Sequence, residues 1–297
     1  MKTERRSCLA IATLAVLTFG NAAAGQPEAR PQAAASDARL DRILAMTREY
    51  CQRLESAALD FVCVEDIKEE IFRIPQPGDY ATISDQMGIL LTPSRPSHKI
   101  VRSFVHDYQF VRKGDRRVEN RTLVREDGIP KNEPNASLST ITIRVENALF
   151  GPVGLLGKAK QPEFEYAIAA ETTDKGKKVF LVDAVPKPAY AGVRCNGRIW
   201  ILEEDARIVR IEWEQTSVGN FQAILETARI LNAEPSLVSV TEYDVVKNGI
   251  RFPGRDTTEE AYLLKSGKKF VRSKTTILYK DYKFFTVETD VKYSPVT

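Results

Sequence analysis

Two spacings of apolar residues organise the chain. From Ser36 to Ala58 the positions Leu40, Ile43, Leu44, Thr47, Cys51, Leu54 and Ala58 recur at i, i+3 and i+4, with Arg39, Asp41, Arg42, Glu49 and Arg53 on the other side. That spacing predicts an amphipathic helix. The period then drops to two. Phe61 to Ile74 reads as a long strand, and His98 to Arg112 as another that puts Phe104, His106, Tyr108 and Phe110 on one face. Between them, Pro75 to Pro96 is rich in Pro and Gly and contains the apolar run "MGILL", Met87 to Leu91. So long a segment reads as a lid, a binding loop or a meandering connector. Arg116 to Glu126 pairs back and ends at Asp127-Gly128. Ser137 to Gly151 has a second helical stripe, Leu138, Ile141, Val145, Ala148 and Leu149, closed by glycines.

From Glu163 the pattern is hairpins. Phe164, Tyr166, Ile168 and Ala170 alternate with acids, and "TTDKGKK" turns the chain into Val179 to Val185. Phe221 to Leu231 has helical spacing, though a strand also fits. Leu237 to Val246 and Arg251 to Leu264 flank Asn248-Gly249, a strong tight-hairpin signal, and Pro253-Gly254 should bend the second of them. Phe270 to Tyr279 and Phe284 to Tyr293 finish the series. The last has Phe285, Val287, Thr289, Val291 and Tyr293 opposite Thr286, Glu288, Asp290 and Lys292. The expected fold is α+β and mainly antiparallel. About eleven strands form a meander that curls into a half-barrel, with two or three covering helices. Strand-helix-strand alternation is missing, which disfavours a parallel sheet.

One stretch breaks the rule of one wet face per strand. In "CNGRIWILEEDARIVRIEWEQ", Cys195 to Gln215, Ile199 and Ile201 point one way and Trp200 and Leu202 the other, so both faces are apolar. Its partner alternates, with Val209, Ile211 and Trp213 opposite Ile208, Arg210 and Glu212. The doubly apolar strand needs cover on two sides.

Composition narrows the compartment and the chemistry. Lys2, Arg5 and Arg6, the apolar run Cys8 to Phe19 and Ala22-Ala23-Ala24 have the three parts of a secretory signal peptide, residues 1–24. Residues 25–36, rich in Ala, Pro and Gln, are expected to be a disordered leader, and 37–297 a single half-barrel domain in the periplasm or outside the cell. No later segment is apolar enough for a transmembrane helix, although contact with a membrane surface stays open. The net charge is +3; the leader's Lys2, Arg5, Arg6 and Glu4 account for a net +2 of it, which leaves +1. A near-neutral chain is not expected to bind nucleic acid. Cys51, Cys63 and Cys195 remain after the leader. In an exported protein Cys51 and Cys63, twelve residues apart, are the favoured disulfide pair, with Cys195 a buried thiol. The common nucleophile, zinc-protease and phosphate-loop signatures are missing and there are two histidines. No catalytic, metal or cofactor residue is therefore assigned, and His106 reads as a packed residue.

The stretch "NGRIWILEEDARIVRIEWE" resembles the strand pair of envelope lipoprotein carriers, where a Gly-x-x-Trp strand meets an acidic turn. The tail "KTTILYKDYKFFTVETDVKYS", with Tyr279, Asp281, Tyr282, Phe284 and Phe285, is similar to the final strands of the same fold. This is the LolA-like group of unclosed β-barrels, which includes a periplasmic lipoprotein carrier, its outer-membrane receptor and sensors of envelope stress. The resemblance runs in element order from about Phe61 to the end. It implies a curved sheet around an apolar interior, partly covered by helices. The Pro75 to Pro96 insertion and the cysteine pair depart from the simple carrier, and no ligand residue is matched. The leading expectation is a non-enzymatic binding or carrier protein. Its apolar groove, covered by the first helix and "MGILL", would hold a lipid, acyl chain or lipidated protein. The alternatives are an envelope interaction or sensor module with a self-filled groove, and a carboxylate-dependent hydrolase.

Overall fold

The alternating segments pair side by side into one antiparallel sheet of eleven strands. The computed structural model describes residues 31–57, 61–73, 80–85, 88–93, 99–113, 116–138, 140, 150–190, 196–219 and 221–285. Helix α1 (Pro31–Ala57) leads into β1 (Phe61–Phe72), the hairpin β2 (Tyr80–Asp85) and β3 (Gly88–Pro93), then β4 (Lys99–Lys113), β5 (Arg116–Glu126) and β6 (Ile129–Pro134). Helix α2 (Gly151–Leu156) precedes β7 (Phe164–Asp174), β8 (Lys177–Pro186), β9 (Gly197–Leu202) and β10 (Ile208–Trp213). Helix α3 (Phe221–Leu231) is followed by β11 (Ala233–Glu242), β12 (Val245–Lys247), β13 (Ile250–Phe252), β14 (Arg255–Leu264) and β15 (Lys269–Phe284).

The strand order is β6-β5-β4-β1-β15-β14-β11-β10-β9-β8-β7. Two wings, each built of sequential hairpins, meet where β1 pairs antiparallel with β15, with Ile67 opposite Ile277. The chain leaves the first wing at one edge of the sheet and re-enters at the other. Laid flat, ten inter-strand steps would span about 48 Å. The link from Pro134 to Phe164 joins the two edges, and its Phe150 ring sits 4.5 Å from Phe110 of β4. Irregular register in six of the strand pairs, and Asp281 at φ 51°, bend the long strands into this curl.

The curved, mainly antiparallel sheet with covering helices is the expected fold class, and several details differ. Residues 75–96 hold the β2–β3 hairpin rather than a structureless loop, with Thr82 opposite Leu91. The side chains of "MGILL" lie outside the described residues. The stripe from Ser137 to Gly151 is not helical at 137, 138 and 140; residues 141–149 are outside the description, and the helix there is α2, within "FGPVGLLGK". Pro152, near the start of α2, supplies the fixed φ that favours a first turn. The two closing strands begin as one, β15, continuous from Lys269 to Phe284; residues 286–297 are not described. Helix α1 begins at Pro31, inside the stretch expected to be a disordered leader, and residues 1–30 are not described. Phe221 to Leu231 resolves to a helix, because Phe221, Ile224, Ala228 and Leu231 dock as one stripe on the sheet.

The doubly apolar strand is covered unequally. Ile199 and Ile201 are fully inside, whereas the Trp200 ring is half-exposed beneath the Arg210 guanidinium, 5.0 Å from its centroid. A cation over an indole face is the cover there. In the partner strand the register slips between Ile208 and Arg210, so Ile208 and Ile211 are both buried despite their odd spacing. The bulge reverses the parity that strict alternation assigns.

Candidate functional site

The concave face of the sheet carries the buried side chains, and it is not uniformly apolar. Under α1 and α2 lies the larger apolar cluster, with Ile43, Tyr50, Cys51 and Leu54 from α1 and Leu155 and Leu156 from α2 against the strands. Under α3 lies a second, formed by Val218, Ile224, Ala228, Leu237 and Tyr262. The Trp213 ring touches both. Next to them a polar belt crosses the sheet at matched register. Glu65 of β1 faces His106 of β4 and Tyr279 of β15, Asp256 of β14 faces Thr241 of β11, and Thr258 faces both Ser239 and Thr275. All of these residues are buried.

At one end of the belt is an ion-pair cluster. Arg121 of β5 donates Nε and Nη2 to the two oxygens of Glu65, at 2.7 and 3.1 Å, and Nη1 to Glu119 at 2.6 Å. The Tyr108 hydroxyl donates to Glu119 at 2.9 Å, and the Arg121 guanidinium lies 4.7 Å from the Tyr108 ring. Burial works against the arginine's charge, but the two carboxylates outweigh it and raise its pKa. Burial also raises the Glu65 carboxyl, with Arg121 pulling the other way. His106, pushed down to about 4 by burial and by Arg121, is neutral at physiological pH, and its Nδ1 makes no hydrogen bond among the described residues. It is a packed residue, as the aromatic alternation suggested.

At the belt's centre the Trp213 indole donates to the Thr241 hydroxyl at 2.9 Å, and that hydroxyl donates to Asp256 at 2.5 Å. Asp256, with no cation bonded to it among the described residues, is raised to about 7 by burial, and the Thr241 bond only partly opposes this. Gly151 lets α2 press on this spot. A Cβ there would stand 2.6 Å from the Tyr243 hydroxyl and 2.9 Å from Trp213.

The covering helix is fastened at few polar points. The Tyr50 hydroxyl donates to the Arg251 carbonyl at 3.2 Å and accepts from its amide at 3.1 Å. Gln161 donates Nε2 to the carbonyls of Leu44 and Leu156, at 2.8 and 2.9 Å, and accepts from Arg48, so it ties α1 to α2. Arg39 pairs with Glu171 at 2.7 Å. Tyr50 and Gln161 were missed from sequence. Tyr50 falls between Thr47 and Leu54 at helical spacing and was legible; Gln161 carries no pattern.

Cys51 and Cys63 are free thiols in this structure, both buried. The Cys51 thiol donates to the Pro152 carbonyl at 3.4 Å. Burial raises the Cys51 thiol, and Cys63 is pushed up to about 12, first by burial and then by Glu65, so neither should react as a thiolate near neutral pH. The Cys51–Cys63 bridge expected of the oxidised protein stays a proposal, for which peptide mapping after export is the test. A Cys51–Cys63 cross-linked peptide is the expected result, and two alkylatable thiols after unfolding would count against it. Cys195 lies outside the described residues.

Among the described residues no set of His, Cys, Asp and Glu side chains is grouped to hold a metal ion, and no helix is long and apolar enough to cross a membrane. A cleft of about 530 Å³ opens at the irregularity in β1, lined by Val62, Val64, Asp107, Gln109, Asn120 and Thr122 among others.

No protein-family model and no curated protein matches the chain. Solved structures align with most of its length. A LolA superfamily protein from Nitrosomonas europaea is 11% identical, with 86% of this chain and 97% of that one covered at a TM-score of 0.33. A DUF1329 family protein from Desulfovibrio piger is 11% identical, over 84% and 95%, at 0.38. A domain from Vibrio parahaemolyticus, described as an outer membrane lipoprotein-sorting protein, is 8% identical, over 85% and 94%, at 0.36.

The chain is similar to LolA-like proteins. The resemblance read from the sequence is to the same group. The concave face of the sheet, with its helices and polar belt, is the candidate site.

Proposed function

We propose that the protein is an exported, non-catalytic binding or carrier protein that takes an amphiphile between the curved sheet and α1. A lipid, an acyl chain or a lipidated protein would fit. The observation that carries this reading is the make-up of the concave face. Apolar clusters under α1 and α3 adjoin a belt of buried hydroxyl and carboxyl groups, a layout suited to a ligand with an apolar tail and a polar head. Each methylene buried contributes about 0.8 kcal/mol before ordering costs. A chain of common length could therefore reach micromolar affinity, which needs about 8 kcal/mol.

A second reading has its own support. Thr47, Tyr50 and Leu54 of α1 are wholly inside, as they would be in an interaction or sensor module that fills its own groove. Titration with a fluorescent fatty acid, together with native mass spectrometry of the purified protein, separates the two. The carrier reading expects saturable uptake at or below about 10 μM and a co-purifying lipid. Neither uptake nor lipid at ten times that concentration leaves the self-filled module.

A further inference from the structure

The two edges of the eleven-stranded sheet are built differently. At one edge β6, "IPKNEP", is short, carries Pro130 and Pro134, and presents Lys131. Proline and lysine on an edge strand block pairing with another chain. At the other edge β7, "FEYAIAAETTD", has eleven residues, no proline and no basic residue. Ala167, Ala169 and Ala170 are exposed. A methyl side chain hides little backbone, and among the described residues no strand pairs with the outer amides and carbonyls of β7. The register slip between Ile168 and Ala170 is the guard it does carry.

The flanking side chains define what would pair there. Toward the concave side, Phe164 is buried but Tyr166 and Ile168 are only half-buried, at the margin of the larger apolar cluster. Alternation turns Glu165, Ala167, Thr172 and Asp174 to the outer side. Glu171 is already paired with Arg39 and Lys178, so Glu165 and Asp174 are the acids left for an incoming chain. We infer that β7 is a docking edge for an extended segment of a partner protein. That segment would add as a twelfth strand, with apolar residues over Tyr166 and Ile168 and lysine or arginine beside Glu165 and Asp174. Main-chain hydrogen bonds would supply the affinity and the alternating side chains the selectivity. The inference does not depend on amphiphile binding.

The probe is a peptide of about ten residues alternating valine and lysine, added to the mature protein and followed by fluorescence anisotropy and amide hydrogen exchange. Saturable binding is expected, with new protection confined to residues 164–174. Reversing the charges in Glu165→Lys/Asp174→Lys should weaken it about tenfold, with the circular dichroism spectrum unchanged. The same peptide N-methylated at its interior amides should not bind. Binding that survives N-methylation is charge attraction alone and overturns the inference. So does the lack of saturable binding up to about 1 mM. Protection of β7 that rises with protein concentration in the absence of peptide would assign the edge to a second copy of this chain instead, and overturns it as well.

Discussion

Replacing Arg121 with methionine is expected to destabilise the fold by about 3–5 kcal/mol. The side chain is buried and holds two carboxylates, Glu65 through both of its oxygens and Glu119 through one. Without it, Glu65 loses the cation bonded to both its oxygens at a site with no exposure to solvent, and must either take up a proton or carry a buried charge. Urea unfolding measures the effect, with a lower midpoint and an unchanged slope if the native state keeps its compactness. Neutralising the whole cluster, as Glu65→Gln/Arg121→Met/Glu119→Gln, should recover much of the loss. The cost of the single change lies in the stranded charges rather than in the pair itself. A single-variant loss below about 1 kcal/mol, the range of exposed ion pairs, would mean that the cluster is solvated.

Asp256→Asn should act in the opposite direction and only over part of the pH range. The folded protein holds the Asp256 proton up to about pH 7, against an ordinary value of 3.8. Between those values the native state binds the proton that the unfolded state has released, so the stability Asp256 contributes is present below about pH 4 and is lost as pH rises to about 7. Above that, the ionised carboxylate stays in the core beside Thr241. Asparagine keeps an oxygen for the Thr241 hydroxyl and never ionises. The variant should therefore match wild type near pH 4 and be more stable at pH 8 by at most about 4 kcal/mol. The difference between the two stability–pH curves is the quantity to measure. The wild-type curve alone also contains His106, whose depressed pKa removes stability as pH falls from about 6.5 toward 4. A difference curve that is flat from pH 4 to 8 would sink the assignment.

Local order was readable from the chain because it is written in local spacing. The stripe of α1, the turn at Asn248-Gly249 with φ of 50° and 73°, and the aromatic face of β4 all follow from periods of 3.6 and two. What spacing cannot encode is which distant strands meet. Nothing in "FVCVEDIKEEIF" indicates that Ile67 lies opposite Ile277, or that the chain between β6 and β7 crosses from one edge of the sheet to the other. The polar belt was hidden for a related reason. Glu65 and Glu69 follow the alternation of Phe61, Cys63 and Ile67 without a fault, and acids in a strand read as its wet face until a buried arginine from another strand is found beside one of them. Bulges added a further loss, since the slip at Ile208–Arg210 turns two residues from opposite faces into neighbours in the core. The candidate site, which depends on belt, bulges and long-range pairing together, was accordingly the least legible part.

The central pairing of β1 with β15 also sets a timetable. The first strand of the sheet cannot gain its inner neighbour until the last described strand has been made, and contacts so far apart in sequence form late and slowly. A ribosome-bound chain would hold the β1–β4–β5–β6 wing and the β7–β14 wing as separate pieces, each with a raw inner border. Those borders need shielding until Lys269 to Phe284 arrives. The seam that unites the finished sheet is thus the point at which an unfinished one is most exposed to aggregation.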